Sequence, residues 1–382
     1  MHVLLIHNKY GAYSGEEAVV EKQTALFRSM GHRVSCFFRN SADIRTSFLG
    51  NIKAFFNGFY SRSAVREIKK RLQSDRPDVV VIHNLYPLIS PAILKYVKRA
   101  GIPVIMTVHN YRLMCPTGLF LRNYKPCECC LKGSEWNCIK YNCEHSLFKS
   151  TAYAARNWYA RKTKAYFNNV DAFACITRFQ TKKLIQAGYQ PEKMFFIPNF
   201  MDKIDSYQPV TGEYVAVSGR LSKEKGIDLI LKAAEQTPHI RYVFAGAPRP
   251  EDPPILHVPA NCRFLGYLSG NELKEFYLKS KFLLVGSVWY EGFPMTVLEA
   301  SSYGKATIGP GHAGFTEIIE AGITGMNFEP GNPDDMQVKI SSLWSDDELS
   351  LSMGYKAYEK LKSEYSTQAV REKWQQLLEK VK

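Results

Sequence analysis

Several features that would assign this 382-residue chain to a special class are missing from its sequence. No apolar run approaches the roughly 18–20 residues that span a bilayer. The start, Met1–His7, has neither a charged n-region nor a small-residue cleavage site. Low-complexity tracts and repeats of solenoid length are also missing, and an apolar content of 45% excludes a disordered chain. We therefore expect a folded cytoplasmic protein whose thiols stay reduced.

Acidic residues are scarce in the first half of the chain. Residues 1–200 hold 30 basic and 12 acidic side chains, which gives a charge of +18. Residues 201–382 hold 20 basic and 24 acidic side chains, which gives a charge of −4. This asymmetry indicates a polyanionic partner, which could be a membrane surface, an acidic substrate or nucleic acid. Nucleic acid is the weakest of the three, because no RNA- or DNA-binding motif accompanies the charge.

Short apolar strands alternate with helices through both halves. Continuous apolar strands separated by helices predict parallel sheets that are covered on both faces. The irregular segment Pro198–Gly212 divides the chain, so we predict an α/β fold of two Rossmann-like, doubly wound domains that face each other across a cleft. The domains are residues 1–200, which include a cysteine-rich insertion at 113–148, and residues 201–364. The last helix, 365–382, could pack on either domain, and a return to the N-terminal one is our working prediction.

Two carboxylates eight residues apart, Glu291 and Glu299, form the most informative motif. Pro294 suits the first turn of a helix, which puts Glu291 on the preceding loop and Glu299 inside the helix. Free N–H groups at the helix start would bind a phosphate, and the carboxylates would accept hydrogen bonds from sugar hydroxyls. An ordinary loop and helix with two solvated glutamates is the alternative. The candidate donor-binding residues of this segment are Phe293, Pro294, Met295, Thr296 and Glu299.

A second motif runs from Ser218 to Gly226, between a strand and a helix. Arg220 offers a bidentate fork and Lys225 a point charge, and this combination suits a diphosphate. A solvated basic loop is the alternative, but the flanking strand and helix favour phosphate binding.

These two segments together resemble the retaining glycosyltransferases of family 4, which have the GT-B fold. The resemblance rests on the two glutamates with seven residues between them, on the Gly219–Gly226 run and on Ile-Pro-Asn at 197–199, and it extends from Val3 to about Phe328. It implies that Glu299 holds the ribose, that Glu291 lies against the donor sugar, and that Arg220 and Lys225 hold the diphosphate. The base would lie near residues 266–273.

The resemblance also extends to the first domain. Family members place a histidine near the donor sugar at a strand end, which here is His109. They also have a glycine-rich loop after the first strand, for which Gly15 is the best match, although this loop lacks a Gly-Gly pair and carries two acids, Glu16 and Glu17. His83 ends another strand, and could either line the acceptor site or belong to a structural turn. The predicted catalytic residues are His109, Glu291, Arg220 and Lys225.

Six of the nine cysteines lie in the insertion. Cys127, Cys130, Cys138 and Cys143 could supply four thiolates to a closed, structural zinc site, and free thiols are the alternative.

The basic, aromatic stretch Asn51–Leu72 could lie on an anionic membrane, and a solvated helix with its aromatic residues in the core is the alternative there.

We therefore expect a retaining hexosyltransferase that uses a UDP- or GDP-sugar. No Asp-x-Asp motif follows a strand, and the resemblance implies chemistry without a metal cofactor, leaving zinc only a structural role. The expected acceptor is lipid-linked or an oligosaccharide of bacterial surface polysaccharide synthesis. The expected location is the inner face of the membrane, with peripheral attachment. A nucleotide-sugar epimerase on the same fold is the alternative, and nucleic acid is not an expected partner.

Overall fold

The computed structural model describes residues 1–10, 15–44, 55–249, 252 and 254–382. The chain divides into two compact units. The first comprises Met1–Phe120, Glu128–Pro198 and Val370–Lys382, and the second comprises Leu121–Cys127 and Asn199–Ala369. Each unit is built on its own six-stranded sheet, and every strand pair within these two sheets is parallel. The prediction of two doubly wound α/β units is therefore confirmed.

The sheet of the first unit has the strand order β2-β1-β3-β4-β7-β8. Strands β3, β4 and β7 are buried along their whole length and β1 along nearly all of it, which explains why they are continuous apolar runs. The order reverses between β1 and β3. The strands are β1 (His2–Lys9), β2 (Arg33–Asn40), β3 (Val79–Asn84), β4 (Val104–Val108), β7 (Ala172–Cys175) and β8 (Met194–Phe196).

Helices connect these strands and cover the sheet. They are α1 (Gly15–Ser29), α2 (Arg62–Ser74), α3 (Ala92–Arg99), α4 (Trp136–Lys140), α5 (Leu147–Lys162), α6 (Ala165–Asn169) and α7 (Arg178–Gln186), and residues 55–59 are also helical. The C-terminal helix α14 (Thr367–Val381) lies mostly in this unit. Its Trp374 meets Phe27 of α1 edge to face at 5.1 Å, and its Arg371 donates to the carbonyl of Ser29.

The sheet of the second unit has the order β11-β10-β9-β12-β13-β14. The strands are β9 (Tyr214–Ser218), β10 (Tyr242–Ala245), β11 (Cys262–Phe264), β12 (Ser280–Leu284), β13 (Thr307–Pro310) and β14 (Gly325–Phe328). The chain winds outward from β9 in one direction and then from β12 in the other, so the β9–β12 pair is the switch point at which such sheets bind ligands.

The helices of this unit pack against both faces of its sheet. Because side chains alternate along a strand, Phe282 and Leu283 of β12 belong to two different buried clusters. The helices are α8 (Ile227–Glu235), α9 (Gly270–Leu278), α10 (Met295–Ser302), α11 (Phe315–Ile318), α12 (Pro333–Ser345) and α13 (Asp347–Glu364). A small antiparallel hairpin, β5 (Leu121–Arg122) with β6 (Lys125–Pro126), groups with this unit. None of the helices in the described part of the chain is long and apolar enough to cross a bilayer.

Candidate active site

A pocket lies at the carboxyl ends of β9 and β12, at the switch point of the second sheet. Its lining includes Gly219 and Arg220 after β9, Gly286 after β12, and Lys225, Glu291 and Thr296. The two sequence motifs that suggested a nucleotide sugar therefore line one pocket, although about 70 residues separate them in the chain.

Two glycines are required by the close backbone packing around this pocket. Gly226 has φ of +74°, and a Cβ there would lie 2.0 Å from the carbonyl oxygen of Gly286. Gly246 has φ of +142°, and its Cβ would lie 1.8 Å from the carbonyl oxygen of Gly219. Any side chain at either position would push apart the backbone segments that carry Arg220 and Lys225.

The ammonium group of Lys225 pairs with the carboxylate of Glu291. Lys225 Nζ lies 2.7 Å from Glu291 Oε2, and the hydroxyl of Ser287 donates to Oε1. Glu291 is only 5% exposed, so this pair compensates a buried charge. Ser287 was not identified from the sequence, where it is one serine of an unremarkable loop.

Arg220 is held by residues of its own loop. Its Nη2 lies 2.5 Å from Glu224 Oε1, and its Nε donates to the hydroxyl of Ser222 at 3.2 Å. Burial raises the pKa of Glu224, but backbone hydrogen bonding and Arg220 outweigh it, and the net shift is downward. Glu224 is therefore ionised at neutral pH, which fixes the guanidinium at the edge of the pocket.

Glu299 lies in the second turn of α10, and Glu291 lies on the loop before that helix. The hydroxyl of the fully buried Tyr277 donates to Glu299 Oε2 at 2.9 Å. Pro294, the residue before α10, makes no side-chain capping hydrogen bond to the N-terminus of the helix. Phe293 precedes it, and Met295 and Thr296 form the first turn. Tyr277 is a second partner that the sequence did not reveal.

His312, just after β13, lies close to Ser287 and Glu291 and was not noted in the sequence. Its Nε2 is buried and has no hydrogen-bond partner among the described residues. Burial lowers the pKa of its ring, while a backbone hydrogen bond at Ser287 and the charge of Glu291 oppose that shift. A histidine in a glycine-rich loop gives no local signal, and only the adjacency of β13 to β12 brings it near Glu291.

The first unit carries its own polar cluster, at the carboxyl ends of β3 and β4. His83 Nδ1 and His109 Nε2 are 2.7 Å apart, and the two rings stack with centroids 5.0 Å apart. Burial lowers the pKa of His109 to about 4 and that of His83 well below its ordinary value, so both rings are neutral at pH 7. His83 thus contacts His109 directly, which neither of the two sequence interpretations foresaw.

Two glutamates from the start of α1 lie beside this cluster. Glu16 Oε1 is 3.7 Å and Glu17 Oε1 is 3.9 Å from the ring nitrogens of the buried His7. Tyr10 donates to Glu16 from its hydroxyl at 3.0 Å and to Glu17 from its backbone N–H at 2.6 Å. Burial raises the pKa of Glu16 despite the opposing charges of His7 and Arg112. Glu16 and Glu17 therefore both contact residues of the first unit, His7 and Tyr10.

The predicted glycine-rich loop is only partly visible, because residues 11–14 lie outside the described residues. Gly15 begins α1, and a Cβ there would meet nothing within 4 Å. Its assignment to donor binding therefore stays a prediction.

Comparison with known proteins identifies the family. The profile of Glycosyltransferase Family 4 matches residues 13–203, and that of Glycosyl transferases group 1 matches residues 201–360. The chain belongs to glycosyltransferase family 4. The resemblance noted from the motifs is thereby confirmed.

Two curated relatives give the scale of this similarity. Alpha-galactosylglucosyldiacylglycerol synthase of Streptococcus pneumoniae is 27% identical over 36% of the chain and 43% of its own length. Sulfoquinovosyl transferase SQD2 of Arabidopsis thaliana is 24% identical over 74% of the chain and 53% of its own length. The matched region thus spans about half the length of these relatives.

A solved structure supports the fold. Anabaena Alr3699/HepE, solved with UDP and also with UDP-glucose, superposes with TM-scores of 0.67 and 0.65 at 14% identity over the full length of both chains. At this identity the likeness shows the fold alone, which for this glycosyltransferase is GT-B.

The structure describes the whole cysteine-rich insertion of this family 4 member. No group of three or more His, Cys, Asp or Glu side chains in that part of the chain is placed to hold a metal ion. Cys138 hydrogen-bonds with Cys143, and this contact together with burial raises the pKa of the Cys138 thiol. Cys127 follows β6 and groups with the second unit. Zinc binding by Cys127, Cys130, Cys138 and Cys143 stays a prediction.

An exposed aromatic surface is present on the first unit. Phe56, Leu147 and Phe148 are each 64% exposed, and Trp158 and Tyr159 are also exposed. Ring contacts link the two segments that carry them, residues 55–60 and α5, through Phe55 with Phe148 at 6.1 Å and Phe59 with Tyr159 at 5.6 Å. Residues 51–54 of the predicted membrane stretch lie outside the described residues. The later part of that stretch is helix α2, in which Ala64, Val65 and Ile68 are buried. We call residues 55–60 together with α5 the aromatic surface.

Proposed function

We propose that this family member transfers a hexose from a UDP- or GDP-sugar to an acceptor with retention of the anomeric configuration. The observation that carries the proposal is the pocket at the ends of β9 and β12, where Arg220, Lys225 and Glu291 converge. Polar groups that meet at the switch point of a doubly wound sheet are the usual setting for a nucleotide.

The diphosphate of the donor is assigned to Arg220 and Lys225. In the structure both cations are paired with carboxylates, Glu224 and Glu291, and Pro294 makes no side-chain capping hydrogen bond at the N-terminus of α10. A diphosphate supplies charge that can compete for Lys225, and the helix dipole adds further stabilisation. The same groups would stabilise the departing diphosphate as negative charge develops on it.

The ribose is assigned to Glu299. A carboxylate can accept several hydrogen bonds, and the hydroxyl of Tyr277 donates one to Glu299 Oε2. Vicinal ribose hydroxyls are donors of the kind that such a carboxylate accepts. Because Tyr277 is fully buried, its hydrogen bond holds the carboxylate in one orientation before the nucleotide arrives.

The proposed retention assigns Glu291 no covalent role. Both carboxylate oxygens of Glu291 accept hydrogen bonds, from Ser287 and Lys225, and this engagement suits positioning of a sugar better than attack on it. We propose that the bond from C1 to the diphosphate breaks while the acceptor oxygen bonds C1 on the same face. The acceptor proton passes to the departing phosphate oxygen. Since Arg220 and Lys225 neutralise the diphosphate, the proposed chemistry includes no metal ion.

The acceptor is proposed to be lipid-linked and presented at an anionic membrane, with the protein attached peripherally to its cytoplasmic face. The aromatic surface supports this, because Phe148 and Trp158 are exposed side chains of the kind that insert at the headgroup level. The exposed Lys149 and Lys162 lie on the same helix, and residues 1–200 carry the excess of positive charge. The name of the pneumococcal relative contains a diacylglycerol, which agrees with a membrane lipid acceptor. A role in surface polysaccharide synthesis belongs to the same proposal.

Two binding experiments test these assignments. Calorimetric titration with UDP, GDP and ADP should give affinity for UDP or GDP, and absence of binding to all three would contradict the donor assignment. Sedimentation with vesicles should show binding to phosphatidylglycerol-containing vesicles and much less to phosphatidylcholine vesicles. A Phe148→Ser/Trp158→Ser variant should lose this binding. The control is Tyr267→Ser, which alters an aromatic residue of the second unit that is 79% exposed. This variant should bind the vesicles as the wild type does. Equal loss in both variants would contradict the aromatic surface as the docking site.

A further inference from the structure

The hydrogen bond between His83 and His109 limits which protons these rings can carry. His83 Nδ1 and His109 Nε2 are 2.7 Å apart, so one of them must donate and the other must accept. A neutral imidazole has one donor nitrogen and one acceptor nitrogen. Because His83 is buried and the partly buried His109 stacks on it, a proton added to either ring would create a poorly solvated cation. The tautomers of the two neutral rings are therefore coupled, and only two arrangements are possible.

The remaining nitrogen of His83 distinguishes the two arrangements. His83 Nε2 is buried and has no hydrogen-bond partner among the described residues. If His109 donated to His83, this Nε2 would carry a proton, and the protein would bury an N–H group without an acceptor. Orphaned buried N–H groups are rare because each forgoes a hydrogen bond that water would supply. If His83 donates from Nδ1, its Nε2 is only a bare lone pair.

We infer that His83 is a positioning residue that donates from Nδ1 and thereby fixes His109 as the Nδ1–H tautomer. In this arrangement His109 Nε2 accepts the hydrogen bond from His83 Nδ1. No side chain or backbone group among the described residues hydrogen-bonds to His109 Nδ1. It therefore offers a hydrogen-bond donor, and not a base, at the carboxyl end of β4.

This tautomer has a consequence for transfer that rests on the proposed function. An Nδ1–H group can donate to an oxygen of the donor sugar, but it cannot accept the proton of the attacking hydroxyl. The acceptor proton must then go elsewhere, which agrees with the proposed route to the departing phosphate. His83 would contribute to the rate only through the orientation and tautomer of His109.

The direct test is the protonation of the ring nitrogens in the full chain. In protein labelled with ¹⁵N-histidine, the ring ¹⁵N shifts and their couplings to ring protons distinguish the two neutral tautomers. The signals of His109 are identified by their loss in His109→Asn. We expect the Nδ1–H tautomer at pH 7, and the Nε2–H tautomer would overturn the inference. This measurement needs no substrate, so its outcome is separate from that of the proposed function.

Three substitutions at His83 sharpen the test. The amide nitrogen of Asn lies the same number of bonds from Cβ as His Nδ1 and also donates, so His83→Asn should preserve the His109 tautomer. His83→Asp places a hydrogen-bond acceptor opposite His109 Nε2 and should switch His109 to the Nε2–H tautomer. His83→Phe keeps an aromatic ring but removes the hydrogen bond to His109. His7→Phe is the packing control, because His7 meets His83 edge to face at 6.1 Å without bonding to His109. An unchanged tautomer in His83→Asp would overturn the inference.

Kinetics then separate positioning from a structural role. We expect kcat to fall roughly tenfold in His83→Phe and His83→Asp, as for loss of one hydrogen bond, with donor affinity nearly unchanged. His83→Asn should recover most of the rate. Equal loss in His83→Asn and His83→Phe would show that ring packing, and not the donated hydrogen bond, matters.

Discussion

Replacing Lys225 by Met tests the candidate donor site through both stability and binding. The change keeps the length of the side chain and removes its charge, so Glu291 loses the ammonium at 2.7 Å and keeps the hydrogen bond from the hydroxyl of Ser287. Breaking a fully buried ion pair costs about 3–5 kcal/mol. Because the side chain of Lys225 is 31% exposed, water can partly replace it, and we expect about 2 kcal/mol of lost unfolding free energy.

A double-mutant cycle isolates this contribution. Glu291→Gln removes the buried charge, so Lys225→Met should cost much less in a Glu291→Gln background than in the wild type. Urea unfolding of the four proteins should give a coupling free energy of about 1–2 kcal/mol. Additive effects of the two substitutions would refute the claim that Lys225 compensates Glu291.

Nucleotide binding provides the second readout of the same variant. Loss of a charge-assisted hydrogen bond to the diphosphate should weaken UDP or GDP binding by about 10- to 100-fold in calorimetry. Lys223→Met, on the same loop, is the matched control and should bind as the wild type does. Unchanged affinity in Lys225→Met would remove Lys225 from the diphosphate site, whatever its effect on stability.

Four further predictions concern other parts of the molecule. Glu299→Ala should weaken nucleotide binding about tenfold in calorimetry, and unchanged affinity would refute its ribose role. His109→Ala should lower kcat more than donor affinity in steady-state kinetics, and the reverse pattern would count against its place at the reacting centre. Lys305 is 2% exposed and burial lowers its pKa to about 8. In the unfolded chain the lysine keeps its ordinary pKa of about 10, so between pH 8 and about 10 the unfolded chain binds more protons than the folded protein. The unfolding free energy of the wild type should therefore rise with pH over this range, by up to about 3 kcal/mol relative to Lys305→Met in urea unfolding. A difference between the two proteins that does not depend on pH would contradict this. Elemental analysis should find one zinc per chain if Cys127, Cys130, Cys138 and Cys143 bind it, and a metal-free, fully folded protein would contradict that prediction.

The sequence predicted the elements whose signal is local. The motif Ser218–Gly226 was predicted to run between a strand and a helix, and β9 does end at Ser218 while α8 begins at Ile227. Strands β8 and β14 were not predicted. They have three and four residues at the edges of their sheets, which is too short for a periodic pattern.

The side-chain partners of the site depend on strand order and not on local pattern. Lys225 and Glu291 meet because β12 pairs with β9, although 66 positions separate them. Tyr277 reaches Glu299 from the helix before β12, and His83 reaches His109 because β3 pairs with β4. Spacing within a motif identifies which residues belong to the site, whereas the hydrogen bonds that orient them follow from the folded sheet.

The anomeric configuration of the transferred sugar tests the central claim most directly. Wild-type protein would be incubated with an α-linked UDP- or GDP-hexose and lipid-linked acceptors in vesicles, and the product examined by the ¹H NMR coupling of its anomeric proton. A parallel incubation with donor alone would reveal epimerisation. We predict an α-linked product and an unchanged donor in the control. A β-linked product would contradict retention, and an epimerised donor without transfer would contradict the transferase assignment and favour the epimerase.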